Sequence, residues 1–268
     1  MVTVTGESIL VERRDDIAIV TLNRLEQMNA FNADMHREAE LLWPRLADDR
    51  SVRAIVFTGA GKAFSAGGDL KAIARRLGDP QENFRTSVAV PSSALTLFRG
   101  LLDLPQPVIA AVNGDAIGLG ATLALACDVV VMAETARIGD THVRVGLVAG
   151  DGGAVIWPLL VGPSRAKDFL MRGRLADCNE AFRMGLVGHT APATGVMDMA
   201  VAIASEMAAL PPLAVRWTKQ SINKQIRQQL ELAFDASIAF ETITMLSQDY
   251  AEAVNGFLEK RKPTFKGE

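Results

Sequence analysis

The sequence predicts an α/β fold, and three observations carry that prediction. Short apolar, β-branched runs alternate with amphipathic stretches of helical period as far as about residue 190. Only helical patterns follow. Between them, Pro107–Ala126 (PVIAAVNGDAIGLGATLALA) joins a strand, a glycine turn and a helix in one stretch. Residues 1–190 therefore read as an α/β core and residues 191–268 as a helical C-terminal region.

The elements follow in order. Ile9–Glu12 and Ile17–Leu22 read as strands of a hairpin turning at Arg13–Asp16. Asn23–Asn32 is a polar loop, and Asn32 or Asp34 caps a helix running to about Asp49, with Met35, Ala39, Leu42 and Leu46 on one face. Pro44 is expected to bend or interrupt it. Ala54–Phe57 is a buried strand, and Asp69 caps a helix that breaks at Asp79-Pro80. A longer helix spans Glu82–Leu102, distorted near Pro91. Val108–Val112 is a strand, Asn113–Asp115 a turn, Ala121–Ala126 a helix, and Val129–Met132 and Ala136–Ile138 are strands. Thr141–Gly153 reads as a loop or broken helix, followed by a helix with a second start at Pro158. Ser164–Met171 and Asn179–Met184 are helical, Leu186-Val187 a short strand, and from Gly195 the pattern is helical, punctuated at Pro211-Pro212 and Asn255-Gly256.

Composition excludes several classes. With 49% hydrophobic and 22% charged residues over 268 positions, the chain has ordinary globular composition and can bury a sizeable core. A net charge of −3 and a pI near 5.7 leave no electrostatic footprint for nucleic acid or an acidic membrane. Cys127 and Cys178 lack metal spacing and read as reduced thiols. The N-terminal stretch shows no signal pattern, and Asp128 interrupts the most apolar window, so a cytoplasmic location is expected.

Four features bear on chemistry. Gly118-Leu119-Gly120 opens a helix, where backbone N–H groups are free and the helix end is positive. Such donors hold a developing negative oxygen. Phe64–Leu70 (FSAGGDL) is a candidate second donor segment through the Gly68 N–H, or a glycine loop that only lets the chain pass between strand and helix. The glycine spacing is a poor dinucleotide fingerprint, because Leu123 stands at the third position. His142 lies in a polar, glycine-flanked segment with Asp151 nine positions on. A carboxylate orients an imidazole and stabilises its charged form, so the two make a workable acid–base pair. The other reading is a loop histidine bonded only to backbone. His36 reads as a surface residue, His189 has no role, Ser65 is structural, and no second histidine stands at metal-ligand spacing.

Taken together, these stretches resemble the crotonase (enoyl-CoA hydratase/isomerase) superfamily over nearly the whole chain. AIVTLNRLEQMNAFN resembles its N-terminal motif, AIVFTGAGKAFSAGGDLK its first signature, PVIAAVNGDAIGLGATLALACDVVVMAETARIG its second, and FLEKRKPTFKG its C-terminal end. The resemblance implies a spiral of ββα turns with a helical C-terminal trimerisation region, assembled as a homotrimer or a dimer of trimers. It implies an acyl-CoA substrate, with coenzyme A as part of that substrate and no separate cofactor or metal. The thioester oxygen would sit between the N–H groups of Gly68 and Leu119. Met28, Ala66 and Lys71 match positions around the CoA adenine and phosphates, and Phe257 and Lys260 match C-terminal positions that reach CoA. Hydratases of this family use two glutamates; this chain has Thr122 and His142 in their places. The expectation is therefore a hydratase-like enzyme with His142 as acid–base, oriented by Asp151, and Thr122 holding water or substrate. The His–Asp pair is also similar to that of the β-diketone hydrolase branch, which implies C–C cleavage of a β-diketone or β-keto acyl-CoA instead. The missing glutamates leave a third alternative, a CoA-binding protein with little catalysis.

Overall fold

Successive strands of the chain enter two different sheets, and that alternation builds the site. In the computed structural model, which describes residues 6–268, the first sheet has the order β1-β2-β3-β5-β7-β10 and the second β4-β6-β8-β9. Residues 1–5 of the stretch read above for a targeting signal lie outside the described residues. β1 (Ile9–Arg14) and β2 (Ile17–Leu22) form the antiparallel hairpin, turning at Asp15 with φ 53°. β2, β3 (Ala54–Gly59), β5 (Val108–Val112), β7 (Val129–Ala133) and β10 (His189–Ala191) then run parallel. Every residue of β3 and β5 is buried, as parallel strands covered on both faces should be.

The second sheet collects the short strands that follow. β4 (Ala63–Ser65), β6 (Asp115–Ile117) and β8 (Arg137–Gly139) are neighbours and parallel, and β9 (Ala176–Asp177) closes the edge antiparallel to β8. The chain thus repeats one move: a long strand, a short strand in the other sheet, then helical structure. α2 (Leu70–Leu77) and α3 (Pro80–Asp103) follow the first pair, α4 (Leu119–Leu125) the second, and α5 (Gly153–Val161) and α6 (Pro163–Arg172) the third. This is the expected ββα spiral.

The helices obey local chemistry. Asn32 caps α1 (Ala33–Asp48) by accepting from Met35 N, and Asp79 caps α3 with Pro80 at its first position. After α7 (Cys178–Arg183), the C-terminal region comprises α8 (Val196–Ala209), α9 (Pro212–Met245) and α10 (Gln248–Leu258). α8 lies against β3, β5 and β7 through Ala200, Ala204 and Ala208. Small side chains there let the helix axis approach the sheet. Among the described residues no single helix is long and apolar enough to cross a membrane.

Several elements depart from the sequence reading. α1 is not interrupted at Pro44, where buried Trp43 and Leu46 stand on either side of the proline, while α3 spans Pro91 as the Glu82–Leu102 reading has it. The second helix start falls at Pro163, after Gly162, while Pro158 stays inside α5. The strand expected at Leu186-Val187 forms instead at His189–Ala191, pairing with Val131–Ala133. Asn255-Gly256 lies within α10. His36 is half-buried, edge-on to Phe31 with ring centroids 5.3 Å apart, and its Nδ1 has no partner among the described residues; burial pushes its pKa down to about 4. Trp157, stacked on Phe169 and fully buried, belongs to the core.

One partly buried ion pair fastens the C-terminal helices to the sheet. Lys219 Nζ, on α9, donates to Asp128 Oδ2 at 2.7 Å and to the Gln106 carbonyl at 2.9 Å, while Asp128 Oδ2 accepts from Val108 N at 2.7 Å. The Lys219 side chain is 7% exposed. Lys219→Ala leaves the Asp128 carboxylate at the head of β5 without its cation, and we expect a loss of about 1–2 kcal/mol, measured by chemical denaturation.

Candidate active site

The site stands where β4, β6 and β8 end. In parallel sheets the carboxyl ends of adjacent strands open onto a shared crevice. Here Ser65 leads into Gly67-Gly68, Ile117 into Gly118-Leu119, and Gly139 into Asp140-Thr141-His142. The register holds these exits side by side: Ile117 pairs with Gly139, and Gly118 N donates to the Gly139 carbonyl at 3.0 Å.

The two glycine segments touch. Gly67 has φ 83° and Gly118 φ 54°, both in the left-handed region. A Cβ on Gly67 would lie 2.9 Å from the Ile117 carbonyl oxygen and 3.7 Å from Gly118 Cα. Only glycine permits that approach. Each segment then presents the next residue's amide, from Gly68 and from Leu119. Leu119 is the first residue of α4, where no intrahelical acceptor exists. Among the described residues, neither amide has a hydrogen-bond partner.

The Gly68 loop is pinned from both sides. Phe31 N donates to the Gly67 carbonyl at 2.7 Å, Asp69 N to the Phe31 carbonyl at 3.0 Å, and Ala66 N to the Met28 carbonyl at 2.9 Å. Asp69 caps α2 through the N–H groups of Lys71 and Ala72, and Arg24 reaches its other oxygen at 3.0 Å. Burial alone would raise the Asp69 carboxyl, but these partners outweigh it and hold it below its usual range. Ser65 Oγ donates to the Asn29 carbonyl and accepts from Gly67 N, so it supports the loop.

His142 lies against this pair of loops. A Cβ on Gly118 would stand 3.5 Å from His142 Cε1 and 3.7 Å from Nε2. The ring is gripped from behind by a residue the sequence reading passed over. Asp140 Oδ1 lies 2.7 Å from His142 Nδ1 and accepts from the His142 backbone N at 3.0 Å. Asp151 stands at the other nitrogen, its Oδ2 3.5 Å from Nε2. Orientation therefore comes from Asp140 at Nδ1, and Asp151 faces the ring at Nε2. Thr122, fully buried on α4, donates from Oγ1 to Asp151 Oδ1 at 3.2 Å.

Electrostatics fix the proton inventory. Burial disfavours a charged imidazole, yet Asp140 and Asp151 together outweigh it, and His142 is raised well above its usual 6.5. Burial and then Asp140 raise the Asp151 carboxyl, with His142 opposing. A further carboxyl, Glu241 of α9, is pushed up to about 8 by burial and by Asp151. Asp140, His142 and Asp151 form the one cluster of metal-type donors among the described residues, with atoms within 4.8 Å of one another. Within it, Asp140 Oδ1 and His142 Nδ1 stand at hydrogen-bond distance, 2.7 Å apart.

Gly68, Leu119, Thr122, His142 and Asp151 thus come together. Of the remaining candidates, Met28 and Ala66 are hydrogen-bonded neighbours, and Lys71 is exposed on the first turn of α2. Phe257 and Lys260 stand exposed at and just beyond the end of α10, and no described hydrogen bond joins them to that group. A small apolar cluster adjoins the histidine segment: Leu147, Met245, Tyr250 and Val254 pack with Ile73 and Leu77 of α2. Asp140 had one signal in the sequence, a carboxylate at a strand end two residues before the histidine. Glu241 had another, an acid on the buried stripe of a helix.

The ββα spiral with its helical C-terminal region is the fold of acyl-CoA enzymes of the crotonase superfamily. The model of the enoyl-CoA hydratase/isomerase family matches residues 12–268, and the chain belongs to that family. It is 40% identical over 251 residues to a Thermus thermophilus protein carrying an enoyl-CoA hydratase name, covering 93% of this chain and 97% of that one. It is 32% identical over 261 residues to the 1,2-epoxyphenylacetyl-CoA isomerase of Escherichia coli, covering 97% and 99%. Among solved structures, an enoyl-CoA hydratase/isomerase from Mycobacterium paratuberculosis superposes with a TM-score of 0.87 at 35% identity, covering 93% and 98%.

Proposed function

We propose that the chain hydrates an enoyl-CoA thioester, with a histidine–aspartate pair in place of two glutamates. The observation that carries this reading is the His142 ring lying 3.5 Å from the Cβ position of Gly118, beside the free Leu119 amide. The thioester oxygen accepts from Gly68 N and Leu119 N. Asp151, held by Thr122, removes a proton from water as the water oxygen bonds to the β-carbon. The π electrons of the C=C bond move toward the thioester, and the resulting enolate is held by the two amides. His142, resting as imidazolium, gives its Nε2 proton to the α-carbon. The proton on Asp151 then returns to His142 across their short gap. Each proton and electron pair is accounted for, and the products are a β-hydroxyacyl thioester and the original enzyme.

Coenzyme A enters only as part of the substrate in this reading. Met28, Ala66 and Lys71 line one edge for its adenine and phosphates, and Phe257 and Lys260 close on it from the C-terminal end. Exposed Trp217, Leu232, Phe240 and Ile243 on α9 support assembly as a homotrimer or a dimer of trimers.

The same pair favours a second reading, hydrolytic C–C cleavage of a β-keto acyl-CoA. There water attacks the ketone and the departing enolate occupies the amides. Turnover in ¹⁸O-water separates the two. We expect one label, in a β-hydroxyl group, from an enoyl-CoA. Label in a carboxylate would establish the hydrolase, and an unlabelled double-bond isomer the isomerase. Tight CoA binding with no turnover of any acyl class would establish a non-catalytic binding protein.

A further inference from the structure

α9 presents an apolar stripe to the core, and one member of that stripe is an acid. Leu230, Phe234, Ile238 and Met245 are buried along this face, and Glu241 shares it at 6% exposure. The carboxyl abuts the loop that carries Asp151. A Cβ on Gly150 would meet Glu241 Oε2 at 2.6 Å, while the Gly150 N–H donates to the Val148 carbonyl at 2.9 Å. Ser237, one turn earlier on α9, donates to the Gly150 carbonyl at 3.2 Å. Among the described residues Glu241 Oε2 has no hydrogen-bond partner. A buried carboxyl left in this condition is costly and calls for a reason. Packing supplies none, because a leucine or methionine would extend the stripe at lower cost.

We propose that Glu241 is a positioning residue of the His142–Asp151 pair, a fourth ionisable group that governs through space how long His142 keeps its proton. The groups facing His142 come from several elements. The segment after β8 supplies Asp140, the loop before α5 supplies Asp151, and α9 supplies Glu241. Glu241 in turn bears on Tyr250 of α10, whose hydroxyl accepts from Arg76 of α2 at 3.2 Å. Of the carboxyls, Asp140 and Asp151 bear directly on the ring. Glu241 acts on it from behind Gly150, and its negative charge favours the imidazolium.

Below about pH 8 Glu241 is neutral and adds no charge to the cluster. As pH rises through that value the carboxylate forms. Its charge opposes loss of the His142 proton, so His142 deprotonates at a higher pH than it would beside a neutral side chain. Glu241→Gln keeps the shape and removes the charge. Titration by heteronuclear NMR reads the effect directly, and that arm is independent of the reading of the reaction, on which only the kinetic arm rests. In the wild-type protein the Glu241 carboxyl is expected to titrate near 8, and the His142 ring signals to show a second inflection at the same pH. In Glu241→Gln that inflection disappears and the His142 midpoint falls by about half a unit or more, roughly a threefold loss of kcat/KM on the alkaline limb. A wild-type Glu241 that titrates in the ordinary carboxylate range would overturn the proposal. So would His142 curves that superimpose in wild type and a folded variant. Both wild-type readouts stand even if the variant does not fold. A shifted NMR midpoint with an unshifted kinetic limb would instead remove His142 from the reaction and leave the electrostatic coupling intact.

Discussion

His142→Ala is expected to lower kcat/KM on an enoyl-CoA by about 10²–10⁴-fold, the range for losing a positioned acid–base group. Affinity for free coenzyme A is expected to stay within about twofold, because the ring lies against the glycine loops and not against Met28, Ala66 or Lys71. The pH profile carries the finer test. On the proposed mechanism the proton donor is the imidazolium, which is raised above 6.5 because Asp140 and Asp151 outweigh burial. Activity therefore persists above pH 6.5 and declines only as pH passes through the raised value. In the variant that alkaline limb vanishes. A second consequence comes from charge. Without the ring, Asp140 and Asp151 face each other with no cation between them, so protonation of Asp151 extends to higher pH. The acid limb moves upward, and the residual rate increases with pH across the neutral range. Steady-state kinetics from pH 5 to 10, with calorimetry of CoA binding, measure all three. Wild-type turnover in a folded variant would remove His142 from the mechanism.

The fold was legible because its strands are buried on both faces. β3 and β5 appear in the sequence as continuous apolar runs bounded by turns, and no other element type accounts for runs so short. The short strands of the second sheet were less legible. Ala63–Ser65 looks like part of a glycine loop, since three residues are too few for an alternation to show. His189–Ala191 is paired through its backbone to β7 and carries no apolar run, so the adjacent Leu186-Val187 drew the reading instead. Pro44 misled as a break in α1. The proline removes one helix hydrogen bond, but α1 packs along α3, and burial of Trp43 and Leu46 on either side of Pro44 outweighs that loss.

The site divides along the same line. Glycines at strand ends are visible in sequence, so Gly68 and Leu119 could be named before the register showed why their segments touch. His142 stood out because its surroundings are polar and irregular. Which carboxylate orients it depends on three-dimensional placement: Asp140, two residues away, reaches Nδ1, whereas Asp151 approaches Nε2. Sequence separation favours neither. Glu241 comes from another part of the chain altogether, and only the seating of α9 against Gly150 brings it into the cluster.

Gly118→Ala is the other substitution with a large expected effect, and it tests the amides rather than the ring. Gly118 sits at φ 54°, ψ −125°, a combination reserved almost entirely for glycine. Space is not the obstacle, since the nearest side-chain atom to an added Cβ is His142 Cε1 at an ordinary 3.5 Å. The cost is backbone strain of about 1–3 kcal/mol. The chain relieves it by rotating the peptide that carries the Leu119 N–H. Turning one such donor away lowers kcat by about 10²–10³-fold. Leu119→Ala makes the contrasting case. It removes a side chain that is 7% exposed, at a stability cost of about 2–3 kcal/mol, yet leaves the amide in place. The expected pattern is thus crossed. The glycine variant loses turnover with modest destabilisation, and the leucine variant loses stability and keeps kcat within a few-fold. Thermal melts and single-turnover kinetics on both variants read the pattern. A Gly118→Ala enzyme with wild-type kcat would show that the Leu119 amide does not hold the developing charge.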